Sequence, residues 1–173
     1  NDFPLIIQDR SFDADNQFDY AGAYDPDGTY GDTLLVNGTI NPFVEVKNEQ
    51  IRLRLVNGSN ARNYTFGLEN GAEFHQIASD GGLLEQPVAL TSVTLTPGER
   101  AEIIVDLSGY AEGDTVKLMD GNATVLSLNV TEEADAQTAL PQTLNEIPEL
   151  VTDGAAVQRF TLSGMSFMVN ING

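Results

Sequence analysis

The chain has 173 residues, enough for one domain with a core of its own and a tail. Its formal net charge is −18, from 26 acidic and 8 basic residues, which argues against nucleic-acid and anionic-membrane partners because phosphates would be repelled. With no cysteine and a single histidine, these residues cannot form a disulfide, a thiolate zinc site, a cysteine nucleophile or a blue-copper centre, which needs one Cys and two His.

The opening stretch, NDFPLIIQDRSF, has neither the basic flank nor the cleavage site of a signal peptide, and no initiator methionine precedes it. The expectation is a piece of a longer protein. No apolar run approaches the ~18 residues that span a bilayer. A first strand is expected over residues 5–8. Asp13, Asp15 and Asp19 follow in DADNQFD, and DPDG follows at 25–28. A helix–loop–helix calcium loop needs Gly at its sixth position and Glu at its twelfth. Counted from Asp13, those positions are Phe18 and Tyr24, so the motif fails and a solvated acidic surface is the reading.

Further strands are expected over 33–36 and 43–46. IRLRLVN then places Ile51, Leu53 and Leu55 on one face and Arg52 and Arg54 on the other, the period of two of a half-buried strand. YTFGLEN repeats the period with Tyr64, Phe66 and Leu68, and AEIIVDL with Ala101, Ile103 and Val105. Strands over 74–78, 88–95, 116–119 and 125–130 complete the set. Asn37-Gly38, Asn57-Gly58, Asn70-Gly71, Asp80-Gly81-Gly82, Pro97-Gly98 and Asp120-Gly121 fall between apolar runs, and such pairs tolerate the positive φ of tight turns. Short strands with a turn every ten residues or so predict an all-β sandwich or barrel.

After Val130 the chain becomes polar and acidic, with Pro141 and Pro148, and reads as a linker crossing a surface. QRFTLSG and MSFMVNING, from 158 on, look like strands again, and FMVNING echoes LLVNGTINP at 34–42. This weak internal repeat predicts that a second, similar domain begins there.

Five stretches together resemble a known family: PLIIQDRSF (4–12), GDTLLVNGTINPFVEV (31–46), IRLRLVNGSNARNYTFGL (51–68), FHQIASDGGLLEQPV (74–88) and LTPGERAEIIVDLS (95–108). In collinear order, over residues 3 to 130, they are similar to the middle domain of three-domain multicopper oxidases. The nearest branches are bacterial: copper-efflux oxidases, spore-coat laccases and bilirubin-oxidase-like enzymes. The resemblance implies a cupredoxin-like Greek-key β-sandwich over 1–130, an acidic linker over 131–157 and the start of the next cupredoxin domain over 158–173. It implies a copper-dependent parent oxidoreductase that takes electrons from phenols, aromatic amines or metal ions and reduces dioxygen to water. Copper would sit in the flanking domains, the partners of this chain, and none in these residues, which alone would be inactive. The family's His-x-His pairs and His-Cys-His run are absent here. Export to the periplasm or cell surface is what the family implies, and the faces that meet the outer domains leave room for an artificial dimer of the isolated chain. Two alternatives stand beside this reading: a copperless scaffold of the cell-division type, and an unrelated sandwich module of a surface protein.

The candidate residues are structural under this reading. His75, alone in the chain, is expected to be a strand residue and not a ligand. Asp80 is expected to serve turn chemistry or to bond across to another domain. In NGSNARNY, Asn57, Ser59 and Asn60 can bond nearby backbone, and Arg62 is a candidate for an organising salt bridge to a neighbouring domain. Arg100, beside Glu99 in TPGERAEIIVDL, resembles the family's P-x-E-R element and is expected to make internal ion-pair or backbone contacts. Met165 and Met168 read as packing residues. Asn-x-Ser/Thr triplets at Asn37, Asn57, Asn63, Asn122 and Asn129 would matter only in a eukaryotic secretory host.

Overall fold

The structure is a computed structural model that describes residues 1–19, 28–165 and 168–172. Tyr24, Asp25 and Asp27 of the acidic loop lie outside the described residues. The described residues contain no helix. In chain order the strands are β1 (Asp2–Arg10), β2 (Thr33–Val36), β3 (Phe43–Lys47), β4 (Gln50–Asn57), β5 (Tyr64–Leu68), β6 (Phe74–Ser79), β7 (Gly82–Leu90), β8 (Ser92–Leu95), β9 (Arg100–Asp106), β10 (Thr115–Asp120), β11 (Ala123–Glu132), β12 (Leu162–Met165) and β13 (Met168–Ile171).

Alternation makes the sandwich. Ile51, Leu53 and Leu55 of β4 are at most 1% exposed while Arg52 and Arg54 face outward, so one face of the strand must find an apolar partner. Ala101, Ile103 and Val105 of β9 and Leu5 and Ile7 of β1 bury on the same side. They line a six-stranded sheet ordered β2-β1-β4-β9-β6-β7, which faces a five-stranded sheet ordered β3-β11-β10-β5-β8. Tyr64, Phe66 and Phe74 are the largest fully buried side chains of the core between the sheets. Burying each stabilises by roughly 1.5–3 kcal/mol before entropy is counted. Two neighbour pairs, β1 with β4 and β3 with β11, run parallel, and parallel neighbours need crossovers rather than hairpins. The chain therefore passes between sheets, and the result is a cupredoxin-like Greek-key β-sandwich.

Two expectations are corrected. Residues 88–95 do not form one strand. β7 ends at Leu90 and pairs with β6 on the edge of the six-stranded sheet, while β8 begins at Ser92 and pairs with β5 on the edge of the other. The chain changes sheets at Thr91, and alternation looks the same on either side of such a switch. Pro87 fits because β7 is an edge strand, where a missing N–H costs little. Nor is Asn57-Gly58 a tight turn: neither residue has positive φ, and Asn57 closes β4 with its side chain buried. Asn37-Gly38 does behave as predicted. Its φ values of 51° and 79° make a two-residue turn that bonds Val36 to Thr39 in both directions.

The core holds no residue beyond Val130. Residues 133–161 form no strand, and the part from Ala134 to Leu144 runs over the outer face of the six-stranded sheet. Ala134 N–H donates to Asn48 Oδ1 at 2.7 Å, and Gln137 Nε2 donates to Asn48 O at 2.7 Å. Leu144 N–H donates to the Glu85 carbonyl of β7 at 2.8 Å. β12 and β13 then pair only with each other.

Candidate functional site

A buried polar network closes one end of the sandwich. On β1 the inward phase runs Phe3, Leu5, Ile7, Asp9, so the last inward position carries a carboxylate that is 4% exposed. A buried carboxylate must be paired or hydrogen-bonded. Arg62 Nε donates to Asp9 Oδ2 at 2.8 Å, and Gly31 N–H donates to the same oxygen at 2.7 Å. Asp9 Oδ1 is buried with no hydrogen bond of ordinary geometry, although the Ser59 hydroxyl is close enough to help hold the charge. Burial pushes the Asp9 carboxyl up, and the contacts from Ser59, Arg62 and Gly31 outweigh it, so the group sits below the usual carboxylate range.

Arg62 works on both sides of this contact. Its Nη2 donates to the Gly31 carbonyl at 2.8 Å, and its guanidinium lies 5.4 Å from the Tyr30 ring centroid. Arg62 thus holds both Tyr30 and Gly31, just ahead of β2. A Cβ at Gly31 would fall within 2.5 Å of the Arg10 backbone, so only glycine fits there. Ser59 Oγ accepts from Asp9 N–H at 3.1 Å and shares a 2.8 Å hydrogen bond with the Tyr64 hydroxyl. Burial pushes that phenol up and keeps it neutral.

Asn57 organises the loop that carries Arg62. Its Nδ2 donates to the carbonyls of Arg62 at 2.8 Å and Leu95 at 2.9 Å, and its Oδ1 accepts from Ser59 N–H at 3.0 Å. The whole side-chain amide is satisfied inside the protein, and at 1% exposure its glycosylation triplet is out of reach.

The other candidates meet on the outer face of the six-stranded sheet. Asp80 and Arg100, considered separately from the sequence, pair with each other: Arg100 Nε donates to Asp80 Oδ1 at 2.9 Å. Arg100 holds the Asp80 carboxyl below its usual range, and Gly82 with φ of 106° turns the chain back. Glu99 does not pair with Arg100; its carboxylate accepts from Thr96 N–H. Arg62, expected to reach another domain, finds its carboxylate within this chain. The sequence reading missed Asp9, and its signal was available: a carboxylate in phase with three buried apolar residues of one strand.

His75 is half-buried on β6, opposite Ile104 of β9. It lines a groove of about 390 Å³ between the sheet and the crossing segment, with Gln50, Asp106, Leu140 and Pro141. Burial pushes the Asp106 carboxyl up, but hydrogen bonds from Ser108 and Gln50 outweigh it and the group sits below the usual carboxylate range. Among the described residues no three His, Cys, Asp or Glu side chains are grouped to hold a metal ion.

Comparison with known proteins places this geometry. The family model described as multicopper oxidase matches residues 9–115. The chain belongs to the multicopper oxidase family. It is 41% identical over 174 residues to multicopper oxidase mco of Staphylococcus haemolyticus, covering all of this chain and 36% of that protein. It is 48% identical over 123 residues to the cell division protein FtsP of Proteus mirabilis, covering 71% of this chain and 25% of that protein. Among solved structures, a laccase from Pediococcus acidilactici superposes with a TM-score of 0.91 at 42% identity, covering all of this chain and 38% of the other. The multicopper oxidase McoA from Aquifex aeolicus superposes with a TM-score of 0.88 at 38% identity, over 99% of this chain and 40% of that one. The chain spans about a third of the length of these family members. Membership removes the reading as an unrelated surface module. A blue-copper centre does not fit these residues: one histidine and no cysteine cannot supply its ligand set.

Proposed function

We propose that this chain is the copper-free middle domain of a three-domain multicopper oxidase, holding two copper-bearing neighbours in register. The domain occupies residues 1–130, the acidic linker 131–157, and the next cupredoxin domain begins at 158. One observation carries the reading. Asn37 N–H donates to the Ile6 carbonyl at 3.0 Å while its Oδ1 accepts from Ile6 N–H at 2.9 Å. Asn172 repeats this just before β12: its N–H donates to the Thr161 carbonyl at 2.8 Å while its Oδ1 accepts from Thr161 N–H at 3.0 Å. Both asparagines have positive φ, 51° and 63°. The same two-way lock between the members of two antiparallel strand pairs, on the Asn of an Asn-Gly pair in both cases, supports a second start of the same fold.

In this reading the parent takes electrons from a phenol, an aromatic amine or a metal ion at copper in another domain, reduces dioxygen to water, and is exported. This chain supplies no catalytic residue. Arg62, Asp80 and Arg100 are structural, acting through the ion pairs described above. The identity to FtsP favours a second reading, a copperless scaffold of the cell-division type. Sequencing the gene outward separates them. His-x-His pairs upstream and a His-Cys-His run downstream are expected; flanking sandwiches without histidine and cysteine ligands would make the copperless scaffold the answer.

A further inference from the structure

A glycine after asparagine or aspartate makes a chemically weak junction. With no side chain beside it, the glycine backbone nitrogen can attack the preceding side-chain carbonyl carbon and close a five-membered succinimide. Asparagine loses ammonia in that step, and aspartic acid in its protonated form loses water. Water then opens the ring at either carbonyl, giving an ordinary aspartate or an isoaspartate whose backbone runs through Cγ. At aspartate the net change is an isomerisation, with one water released and one taken up. The sequence holds four Asn-Gly and four Asp-Gly pairs. In an unfolded chain at neutral pH the asparagines react faster, because a neutral amide is a better electrophile than an ionised carboxylate.

Six of these pairs lie wholly within the described residues, and the fold holds five of them. Ring closure needs a side chain free to turn onto the next backbone nitrogen. Asn37 is tied at both ends of its amide, Oδ1 accepting from Ile6 N–H at 2.9 Å and Nδ2 donating to the Pro4 carbonyl at 2.9 Å. Asn57 is buried with its amide fully bonded. Asn70 accepts from Ala72 N–H at 3.0 Å and donates to the Tyr110 hydroxyl at 2.7 Å, while Gly71 N–H is engaged with the Leu68 carbonyl at 2.8 Å. Asp80 is paired with Arg100, and Asp120 Oδ1 accepts from Thr65 N–H at 2.8 Å. Asp153 differs. It is exposed, and among the described residues neither its carboxylate nor Gly154 N–H makes a hydrogen bond. From Glu146 to Phe160 the one hydrogen bond is Ala155 N–H to the Thr152 carbonyl at 3.0 Å, a turn with Asp153 and Gly154 at its centre. A Cβ at Gly154 would meet nothing within 4 Å, so the space around the reacting atoms is open.

We propose that Asp153 is the isomerisation site of this chain: its carboxyl condenses with the Gly154 nitrogen ahead of the five held pairs, although Asn37, Asn57 and Asn70 carry the intrinsically faster group. The resulting isoaspartate adds one backbone methylene to a segment that forms no strand and lies beyond the last core residue, Val130, so the sandwich tolerates it. This chemistry is independent of what the parent protein binds.

The chain is aged at neutral pH, folded and in urea, and digested for peptide mapping. Electron-transfer fragmentation distinguishes isoaspartate from aspartate at equal mass, and deamidation shows as a mass gain. In the folded chain isoaspartate should appear at Asp153, while Asn37, Asn57 and Asn70 should deamidate about tenfold or more slowly than in urea, because held side chains react only through local opening. In urea the three asparagines should overtake Asp153. Asp153→Asn makes the comparison like for like: in that folded variant position 153 should deamidate about tenfold or more faster than Asn37, Asn57 or Asn70. Gly154→Val, which crowds the attacking nitrogen, should stop isoaspartate forming at Asp153. Deamidation of any of the three native asparagines ahead of position 153 in the D153N chain overturns the proposal. So does isoaspartate that forms at Asp153 in urea but not in the folded chain, since the turn would then protect the junction.

Discussion

Asp9 and Arg62 lie 53 positions apart in sequence and meet at 2.8 Å at the end of the sandwich, one at the inward tip of β1 and the other on the loop between β4 and β5. The Asp9 side chain is 3% exposed and that of Arg62 is 38% exposed, so the carboxylate has left water and the guanidinium has only partly done so. The pair therefore behaves less like a surface bridge than like a buried anion with one obligatory counter-charge.

Replacing Arg62 by Ala leaves that anion uncompensated. The expected loss is about 2 kcal/mol, below the full cost of breaking a buried pair because the arginine is partly screened by solvent. Urea unfolding at neutral pH measures it, and no loss would show the pair to be dispensable. The folded Asp9 carboxyl lies below its unfolded value, so its contribution is present above the unfolded pKa and fades as pH falls through the folded one. Asp80 and Asp106 are shifted the same way. Melting temperature should drop as pH falls below about 5, and Asp9→Asn should flatten part of that slope.

Asn57→Ala removes partners from Ser59 N–H and from the carbonyls of Arg62 and Leu95. With buried groups left unsatisfied, the expected cost is about 3 kcal/mol. Asn57→Asp should be no milder, since it sets a carboxylate against two carbonyl oxygens. A denaturation midpoint within error of the parent for either variant contradicts this.

Two glycines separate crowding from backbone strain. A Cβ at Gly31 meets the Arg10 backbone, whereas at Gly38 nothing lies within 4 Å but φ is 79°. Gly38→Ala should cost about 1 kcal/mol. Gly31→Ala should cost more, about 2–3 kcal/mol, because backbone cannot rotate away as a side chain can. The ranking, read by thermal melts of the two variants, is the prediction.

A chain ending at Glu132 keeps every core residue, the last being Val130. It should unfold cooperatively and lose about 1–2 kcal/mol with the hydrogen bonds to Asn48 and Glu85. Circular dichroism melts of the two lengths decide; loss of the cooperative transition would mean that the crossing segment belongs to the domain.

Copper added to the isolated chain should produce no intense blue band and no oxygen uptake with a phenolic substrate, since that colour needs a thiolate bond to the metal. Spectrophotometric titration and an oxygen electrode test this, and phenol turnover would overturn the assignment as a silent domain.

Most of the fold was legible because most of it is a period-two pattern. Ile51, Leu53 and Leu55 announce β4, and Asn37-Gly38 announces its hairpin. The switch of sheets at Thr91 was not legible, because the alternation of apolar and polar residues says which face is buried and nothing about which sheet receives it. The network was half legible. Asn57, Ser59 and Arg62 drew attention as polar residues between good strands, but their partners are far away in sequence: Ser59 bonds Asp9 across 50 positions. Asp80 and Arg100 stood out individually, and their pairing follows from β6 and β9 being neighbours, which no local pattern encodes.

By itself the sequence determined the class of the fold, the exclusion of blue copper from these residues, the acidic character of the surface and the kinship to multicopper oxidases. Those properties depend on composition, local alternation and collinear motifs, all read without knowing what lies beside what. The tertiary structure decided which carboxylate Arg62 serves and that Asn57 is a buried hub and not a turn. These depend on strand order, and strand order is set by the packing of two sheets around a shared core, where residues dozens of positions apart become neighbours.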